Sequence, residues 1–512
     1  MNKLMVVDEA KCTGCGICVR NCPKEAIGLE DGKARIGKAC VACTLCARIC
    51  PVEAVAVQEG VKPSIAKCFS CPVECEIPEG YTGACKRYMN VKGEIELAVP
   101  LVVPRRKPVR TEEVVKKQVL SRPLSTGVGA GTTYPDLKPA PYILEDEIEG
   151  VDVITVVSET PLSYCGMLVK VDTDRHIGGE GEPVKREGVK VGSIIMEQYG
   201  SKLLQIGGVN ILIQKLGAVA ARTMVDLANG EKIELEAGGH KLEFRVGEPP
   251  VVDGEVEERM RVGCGSATVG MFGDMLKEVA DEVIVVDHHI TAVLGEHPAG
   301  RFLGLTPKGI VPRGRKSTPG RYFGFPGEGW GGTDILEPEQ AIAHIDRHLA
   351  KPGMTIFIVE TTGSRGALLQ IQPDWSLKRL KLTDKAKEAM RLIAESCEKA
   401  RVSAMLIGGV GGSARRGVTR YPLKLNEAVH RGLVKVSVAG APTCLLPGGG
   451  ITFLADVERM LKRSLHWTPT PAIIAPIEYT MEKSLYEAIG GHVHALKKLK
   501  EALKGRKIEQ VD

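Results

Sequence analysis

The sequence predicts a multidomain protein of the α+β and α/β classes, in which a cysteine-rich module precedes a β-rich domain and C-terminal α/β domains. Three observations support this. A cysteine pattern repeats in residues 1–60, short β-branched runs separated by Gly and charged turns fill residues 146–255, and strands alternate with glycine loops and helices from residue 256 onward. At 512 residues the chain is too long for a single hydrophobic core.

The cysteine-rich module contains an internal repeat. KCTGCGICVRNCPKEAI at 11–27 matches ACVACTLCARICPVEAV at 39–55, and each copy reads C-x2-C-x2-C-x3-C-P. This run holds [4Fe–4S] clusters in two-cluster bacterial ferredoxins, where the fourth cysteine ligates the other cluster. Zinc sites need neither the third closely spaced cysteine nor the proline. We therefore predict a two-cluster ferredoxin domain at 1–60. The predicted ligands are Cys12, Cys15, Cys18 and Cys50 for the first cluster and Cys40, Cys43, Cys46 and Cys22 for the second.

A third cysteine group with different spacing lies in residues 61–95. Its members are Cys68, Cys71, Cys75 and Cys85, spaced C-x2-C-x3-C-x9-C. Four thiolates with this spacing can hold either a third [4Fe–4S] cluster or a structural zinc ion. Next to two ferredoxin-type clusters, a third cluster would extend the electron path into the rest of the chain.

Bulk composition excludes several classes of protein. The 68 basic and 63 acidic residues nearly balance, which argues against a general nucleic-acid binder. No apolar run is long enough to span a bilayer, and the N-terminus lacks the features of a signal peptide. Sixteen cysteines in a chain of this size favour thiolate metal chemistry over a secreted disulfide scaffold. We therefore expect a cytoplasmic protein that binds neither nucleic acid nor membrane.

Residues 96–145 have the composition of a connection, rich in Pro, Gly and basic residues. We expect this segment to wrap over another domain or subunit, which favours a homo-oligomer. Its basic run is either a docking site for an acidic ferredoxin or an ordinary solvated segment. That run comprises Arg105, Arg106, Lys107 and Arg110.

Residues 256–350 are predicted to form an α/β domain with active-site loops. A glycine loop at 263–270 precedes a helix, and Gly263, Gly265 and Ser266 would offer an anion cradle at its start. The loop departs from G-x-G-x-x-G, so the usual dinucleotide fingerprint is not met.

A dense polar run follows the next predicted strand, where open α/β sheets bind ligands. Imidazoles can deliver protons and carboxylates can orient them, although paired structural histidines are the alternative. The candidate catalytic residues are Asp287, His288, His289, Glu296 and His297. Arg301, Arg313 and Arg315 are candidates for holding a carboxylate or phosphate, the last two from a Gly- and Pro-rich segment at 303–335 that has the composition of a lid.

Residues 351–512 are predicted to form a C-terminal α/β domain. From residue 336 to the end, helices are predicted near 338–350, 384–400, 453–464 and 481–503. Two glycine loops, at 408–416 and 447–450, follow predicted strands. Each would let the backbone approach a flavin or nucleotide phosphate, and close packing is the alternative reason for glycine. The candidate binding residues of the first loop are Gly409, Gly411, Gly412, Ser413 and Arg415.

The chain resembles the 6-hydroxynicotinate reductase family over nearly its whole length. The segments that carry the resemblance are CFSCPVECEIPEGYTGACKRY, GCGSATVG, DHHITAVLGEHPAGR, TPGRYFGFPGEGWGGTDI, GGVGGSARRGVT, APTCLLPGGGIT and PAIIAPIEYTM. The resemblance implies a ferredoxin-dependent iron–sulfur flavoprotein that partially reduces a pyridine-type ring, such as 6-hydroxynicotinate, to a tetrahydro-oxo product. It implies an external ferredoxin or another low-potential carrier as the electron donor.

Two alternatives stay open at the level of sequence. The same machinery could reduce another N-heterocycle or a conjugated acid. The chain could instead be a polyferredoxin-like electron-transfer subunit of a larger complex, although a conduit needs neither the polar run at 287–301 nor the glycine loops.

Overall fold

The computed structural model describes residues 2–60, 65–70, 73–104, 139–173, 175–198, 200–260, 264–316, 320–324, 327–469, 472–504 and 508–511. Cys71, Gly263, the basic run at 105–110 and most of the predicted connection lie outside the described residues. No helix among those described is long and apolar enough to cross a bilayer.

The N-terminal module has the two-fold arrangement that its repeat predicts. Its first and last strands pair antiparallel, and a hairpin and two short helices lie between them. Each helix follows a left-handed residue, Gly16 with φ 71° and Thr44 with φ 62°. The elements are β1 (Asn2–Val7), α1 (Ile17–Arg20), β2 (Ile27–Glu30), β3 (Lys33–Ile36), α2 (Leu45–Ile49) and β4 (Val55–Gly60).

The third cysteine group lies on two small hairpins that follow this module. Glu76 N donates to Val41 O at 3.1 Å, so the first hairpin packs directly on the ferredoxin-type module. The strands are β5 (Ile65–Lys67), β6 (Glu76–Pro78), β7 (Tyr88–Val91), β8 (Glu94–Leu97) and β9 (Leu101–Pro104).

Residues 142–256 form a run of antiparallel strands with one longer helix. Its strands are β10 (Tyr142–Ile148), β11 (Val151–Ser163), β12 (Gly166–Val171), β13 (Pro183–Arg186), β14 (Val189–Gln198), β15 (Ser201–Gly207), β16 (Ile233–Ala237), β17 (His240–Phe244), β18 (Val251–Val252) and β19 (Glu255–Val256). Its helices are α3 (Val209–Leu212) and α4 (Gly217–Ala228).

An α/β unit follows, built on a five-stranded sheet. Helices cover one face of this sheet and the segment around Trp330 covers the other. Its helices are α5 (Gly265–Leu276), α6 (Pro298–Phe302) and α7 (Asp384–Glu395), with 3-10 turns at Trp330–Gly332 and Pro338–Ala341. Its strands are β20 (Glu282–Val286), β21 (Ala292–Val293), β22 (Ile310–Pro312), β23 (Arg315–Lys316), β24 (Arg321–Tyr322), β25 (Ile342–Ile345), β26 (Thr355–Glu360), β27 (Gly366–Ile371) and β28 (Leu377–Leu380).

The remaining chain returns to the β-rich region. Its strands are β29 (Val402–Val410), β30 (Lys435–Val438), β31 (Ala441–Leu445), β32 (Ile451–Asp456), β33 (His466–Trp467), β34 (Ala472–Glu482), β35 (Leu496–Lys498) and β36 (Ile508–Val511). Its helices are α8 (Gly412–Val418), α9 (Pro422–His430), α10 (Lys483–Ala488) and α11 (Leu499–Lys504), with 3-10 turns at Val457–Arg459 and Val493–Ala495.

Strands from both halves of the chain pair in one barrel. β11 pairs antiparallel along its full length with β34, and β12 lies between β15 and β29. Residues from both halves also share the largest hydrophobic core. We call this assembly the β-body. The ferredoxin-type module docks on it through Arg222 Nη1, which donates to Arg20 O at 2.8 Å, and Lys215 Nζ, which donates to Cys50 O at 3.2 Å.

The structure therefore divides the chain differently from the predicted boundaries. The boundary predicted at 350 separates β20 from β26, which pair in parallel within one sheet. The predicted C-terminal α/β domain is wrong, because β29 and the later strands complete the β-body. The α/β unit is an insertion, spanning about residues 265–395, between two parts of one β-rich domain.

The helix predicted near 481–503 is interrupted by β35, and two other predicted helices contain strands. Residues 342–345 form β25, which pairs with β22, and residues 451–456 form β32, which pairs with β29. In both places ladder pairing with a distant strand overrides a helix-like apolar pattern.

Candidate active site

The first predicted cluster set is assembled in the ferredoxin-type module. Burial raises the pKa of Cys18, and the nearby thiols of Cys15, Cys12 and Cys50 raise it further. Cys50 therefore lies beside the first three cysteines, as the crossed ligation requires. Backbone N–H groups of Ala34 and Gly14 lower the pKa of Cys12, because they donate to its sulfur. Such donors stabilise the thiolates that ligate a cluster.

The second set encloses a small cavity. Cys22 joins Cys40, Cys43 and Cys46 around it, with Met5, Ile27 and Leu45 completing its walls. Burial raises the pKa of Cys43 to about 11 and that of Cys46 to about 12. Buried thiols of this kind need a bound metal to become thiolates. Four converging sulfurs around a cavity fit a [4Fe–4S] cluster.

The third group also converges on a cavity, lined by Cys68, Cys75 and Cys85. Cys68 N donates to Cys75 O at 2.9 Å, and Cys75 Sγ accepts from Ala84 N at 3.4 Å. Thr468, Pro469 and Ile474 of the β-body close the other side. Three thiols in one cavity fit a metal centre and place it against the β-body.

The three cysteine sets form a series. Cys15 of the first set is exposed, whereas Cys43 of the second packs in one buried group with Cys68 and Cys75 of the third. Lys24 lies between the second and third sets. Burial lowers the pKa of its ammonium group, and the nearby thiols of Cys75, Cys85 and Cys22 act in the opposite direction. The series therefore runs from an exposed sulfur to the β-body.

A cavity of about 390 Å³ adjoins the third cysteine set. Ser70, Tyr88 and Ile474 line both spaces. The remaining lining residues are Lys67, Phe69, Ile95, Pro139, Ala140, Pro141, Ser158, Glu159, Thr160, Pro161, Ala414 and Gly417. An apolar lining with a few polar groups at this volume is typical of a small-molecule site.

A buried polar network lies at the wall shared by the two spaces. Arg87, only 2% exposed, pairs with Glu159, which also accepts the hydroxyl hydrogen of Tyr88. Arg87 Nη1 lies 2.9 Å from His466 Nε2. Burial, and then the charge of Arg87, lower the pKa of His466 to about 3, and burial raises the pKa of Tyr88. His466 is thus neutral and Tyr88 protonated at physiological pH.

Arg87, Tyr88 and Glu159 are not among the residues predicted from the sequence. Two signals were available. Arg87 and Tyr88 stand two and three residues after Cys85, and Glu159 is a charged residue within the apolar run of β11. A carboxylate in a buried strand is rare without a partner.

The glycine–arginine loop at 408–416 borders the same cavity through Ala414 and Gly417 of α8. Gly409 is the last but one residue of β29, Gly411 is the N-cap of α8 and Gly412 is its first residue. The side chain of Ser413 lies outside the described atoms. Burial lowers the pKa of Arg415, whose Nε lies 3.4 Å from Gly411 O. Within the described chain, Nη1 of Arg415, Nη1 of Arg416 and the Tyr479 hydroxyl are buried without a hydrogen-bond partner.

The predicted catalytic run lies in the α/β unit and lines none of these three cavities. Asp287 Oδ2 accepts from the backbone N of His289 and of Ile290, both at 3.1 Å. This turn holds the rings of His288 and His289 with their centroids 3.8 Å apart. The catalytic role of these residues stays a prediction.

His297 caps a helix. Its Nδ1 accepts from Ala299 N at 3.1 Å, and its Nε2 lies 2.8 Å from Ser266 Oγ. With Nδ1 accepting, Nε2 carries the hydrogen in the neutral ring and donates to the serine. Glu296 lies 3.4 Å from Arg321. Gly265 packs closely, since a Cβ there would lie 2.5 Å from Ile290 O.

None of the remaining predicted anion-binding arginines lines the three cavities described above. Arg301 and Arg315 are exposed. Arg313 pairs with Asp334 and lies over the Phe323 ring, 5.7 Å from its centroid.

Comparisons with known proteins identify the family of the chain. Residues 5–28 match the family model of the 4Fe-4S binding domain. The chain is 44% identical to the 6-hydroxynicotinate reductase of Eubacterium barkeri over 499 residues, which cover 97% of this chain and 99% of that protein. No solved structure matches. With this identity over the full length and a ferredoxin-type module in place, the chain is an iron–sulfur oxidoreductase and belongs to the 6-hydroxynicotinate reductase family.

Proposed function

We propose that this protein reduces 6-hydroxynicotinate, or a close N-heterocyclic acid, in the cavity beside the third cysteine set. The observation that carries the proposal is the shared wall: Tyr88 lines both the third cysteine site and the 390 Å³ cavity. A substrate in the cavity would lie directly beside the last metal centre of the series. An electron-transfer subunit without a substrate would need no such cavity.

The lining suits a flat ring with one anionic group. Phe69, Ile95 and Pro161 offer apolar surface, and Ser158 and Thr160 offer hydroxyl groups. Lys67 is the cation among the lining residues that the structure describes, and its Nζ lies 2.6 Å from Glu74. We propose that Lys67 attracts the substrate carboxylate.

The reaction needs two electrons and two protons to convert the oxo-dihydropyridine ring to its tetrahydro product. [4Fe–4S] clusters held by the first two cysteine sets, and a third held by Cys68, Cys71, Cys75 and Cys85, would supply electrons singly at low potential. Tyr88 is the proposed donor of one proton, because its hydroxyl is protonated and at the cavity wall. Glu159 and Arg87 orient that hydroxyl.

A flavin is proposed beside α8. The support is the buried Nη1 atoms of Arg415 and Arg416 and the Tyr479 hydroxyl, for which the described chain supplies no hydrogen-bond partner. These groups suit a phosphate, which accepts several hydrogen bonds. Acid precipitation of the pure protein tests this: released or protein-attached flavin supports it, and a colourless supernatant and pellet contradict it.

The electron donor is proposed to be an external ferredoxin or a similar low-potential carrier. The exposed sulfur of Cys15 marks the entry side for these electrons.

An anaerobic assay tests the proposed reaction. Viologen-reduced enzyme should reoxidise with 6-hydroxynicotinate, and mass spectrometry should show a product with two added hydrogen atoms. The same ring without its carboxylate should react with a higher KM. Turnover with a different heterocyclic acid, together with none on 6-hydroxynicotinate, would overturn the substrate assignment.

A further inference from the structure

A cluster of metal-binding side chains lies between the β-body and the inserted α/β unit. It comprises Glu197 of β14 with His288 and His289, which follow β20. One ligand atom from each of the three residues lies within 4.8 Å of the other two. None of these residues lines the cavities at the cysteine sets.

Both histidines are held by their backbone. His288 N donates to Gly331 O at 3.0 Å, and His288 O accepts from Phe323 N at 2.9 Å. Asp287 fixes the turn through His289 N. A preformed pair of imidazoles loses little entropy when it binds an ion.

Glu197 is held from the β-body. Its Oε1 lies 3.2 Å from Lys202 Nζ, and its backbone N lies 3.4 Å from Glu180 Oε1. Lys202 is 1% exposed and also donates to Thr173 O at 3.4 Å. A further imidazole lies near this carboxylate, since His176 Nδ1 is 3.8 Å from Glu197 Oε1. The positive charge of Lys202 repels a metal ion at this place. Tight binding of the ion therefore requires all three ligands.

Two imidazoles and one carboxylate are a recurring set for zinc and for non-haem iron, with coordination positions left for water or a ligand. Calcium and magnesium prefer oxygen donors and fit this set poorly. Glu197 and the histidines are far apart in sequence, so no motif could reveal the set.

We propose that Glu197, His288 and His289 bind one divalent transition-metal ion of the zinc or iron(II) class. The ion ties the inserted α/β unit to the β-body and is separate from the cysteine-held centres. Without a metal ion, Glu197 would keep only its ion pairs with Lys202 and His176 among the described residues.

Zinc uptake tests the proposal without confusion from cluster iron. Full-length protein with its iron and sulfide content verified is washed with chelator and dialysed against micromolar zinc, and bound zinc is measured by mass spectrometry. We expect one zinc per chain, and about 100-fold weaker binding in Glu197→Gln and in His289→Ala. His348→Ala, at an exposed histidine of the same unit, is the control and should bind normally.

Thermal unfolding supplies a second readout. Zinc should raise the Tm of the native protein and of the control, but not of Glu197→Gln or His289→Ala. Unchanged zinc binding in both variants would place the ion on cysteines and overturn the proposal, as would no uptake by the native protein. A variant is compared with the native protein only if it holds the same amount of iron. Gln has nearly the same shape as Glu, so Glu197→Gln still tests the proposal if His289→Ala misfolds.

Discussion

Tyr88 lies at the wall between the third cysteine set and the cavity, and burial raises the pKa of its hydroxyl. It is therefore a neutral acid at physiological pH and loses its proton only above its ordinary titration range. Tyr88→Phe removes the hydroxyl and keeps the ring. We expect kcat to fall about 100-fold or more, with KM little changed.

Cluster content is the control for this variant, since Phe should leave the cysteine sites loaded. In the native enzyme, kcat should stay flat through neutral pH and fall at alkaline pH as Tyr88 ionises. A Tyr88→Phe enzyme with native kcat would show that the proton comes from another group.

His466 links stability to pH. Burial and Arg87 lower its pKa to about 3, whereas an unfolded histidine titrates near 6.5. Below pH ~6.5 the unfolded chain binds a proton that the folded chain does not, so stability falls as pH drops from there toward 3. We expect His466→Gln, which can still accept from Arg87, to reduce this acid loss in urea unfolding at pH 7 and pH 5. An equal loss of unfolding free energy between pH 7 and pH 5 in both proteins would contradict this role of His466.

Individual residues differ in how well the sequence predicts their place in the structure. The spacing of the ferredoxin repeat predicts two crossed cysteine sets, and the structure brings Cys50 beside the first set and Cys22 beside the second. Glu159 and Glu197 were missed, because their partners are distant in sequence and only pairing of β11 and β14 into the β-body brings them into place.

At the scale of elements, the turn at Trp330–Gly332 packs on the end of β20. Gly331 has φ 59°, and a Cβ there would lie 2.3 Å from Val286 O. Gly331→Ala therefore combines left-handed strain with a backbone clash. We expect a loss of about 2–4 kcal/mol in the free energy of unfolding.

The matched control is Gly353→Ala. Gly353 also has positive φ, 93°, but a Cβ there meets nothing within 4 Å. It should lose only the conformational part, about 1 kcal/mol. Denaturant unfolding of both variants checks the difference, and equal losses would mean that the turn does not press on β20.

Elements with strong local signals were predicted well. The apolar runs of β20, β26, β29 and β34 and the amphipathic α7 appear where expected. The helices predicted near 338–350 and 453–464 overlap β25 and β32, because the strand partners β22 and β29 cannot be read from local periodicity.

At the scale of the whole molecule, Lys24 joins the ferredoxin-type module to the third cysteine set by donating to Thr82. Its positive charge favours the reduced, more negative state of nearby clusters. We expect Lys24→Met to lower the reduction potentials of the second and third centres, measured by redox titration with EPR detection. Lys24→Arg keeps the charge and should stay near native. If Lys24→Met left the reduction potentials of both centres unchanged, the charge of Lys24 would not act on the clusters.

The interrupted β-body explains why domain boundaries were missed. The barrel is completed only by strands on the far side of the insertion, and composition does not change sharply at either junction. Sequence reasoning follows the chain in order, whereas the closing pairs β11–β34 and β12–β29 join residues hundreds of positions apart.

The central claim is that electrons pass through the third cysteine set to a substrate in the adjoining cavity. Single-turnover reduction of 6-hydroxynicotinate by Cys75→Ser tests it most directly, with iron content and EPR measured on the same sample. We predict that about four irons per chain are lost, that the two ferredoxin-type clusters still accept electrons from viologen, and that no product forms. Product formation at the native rate, with the third centre absent, would contradict the account.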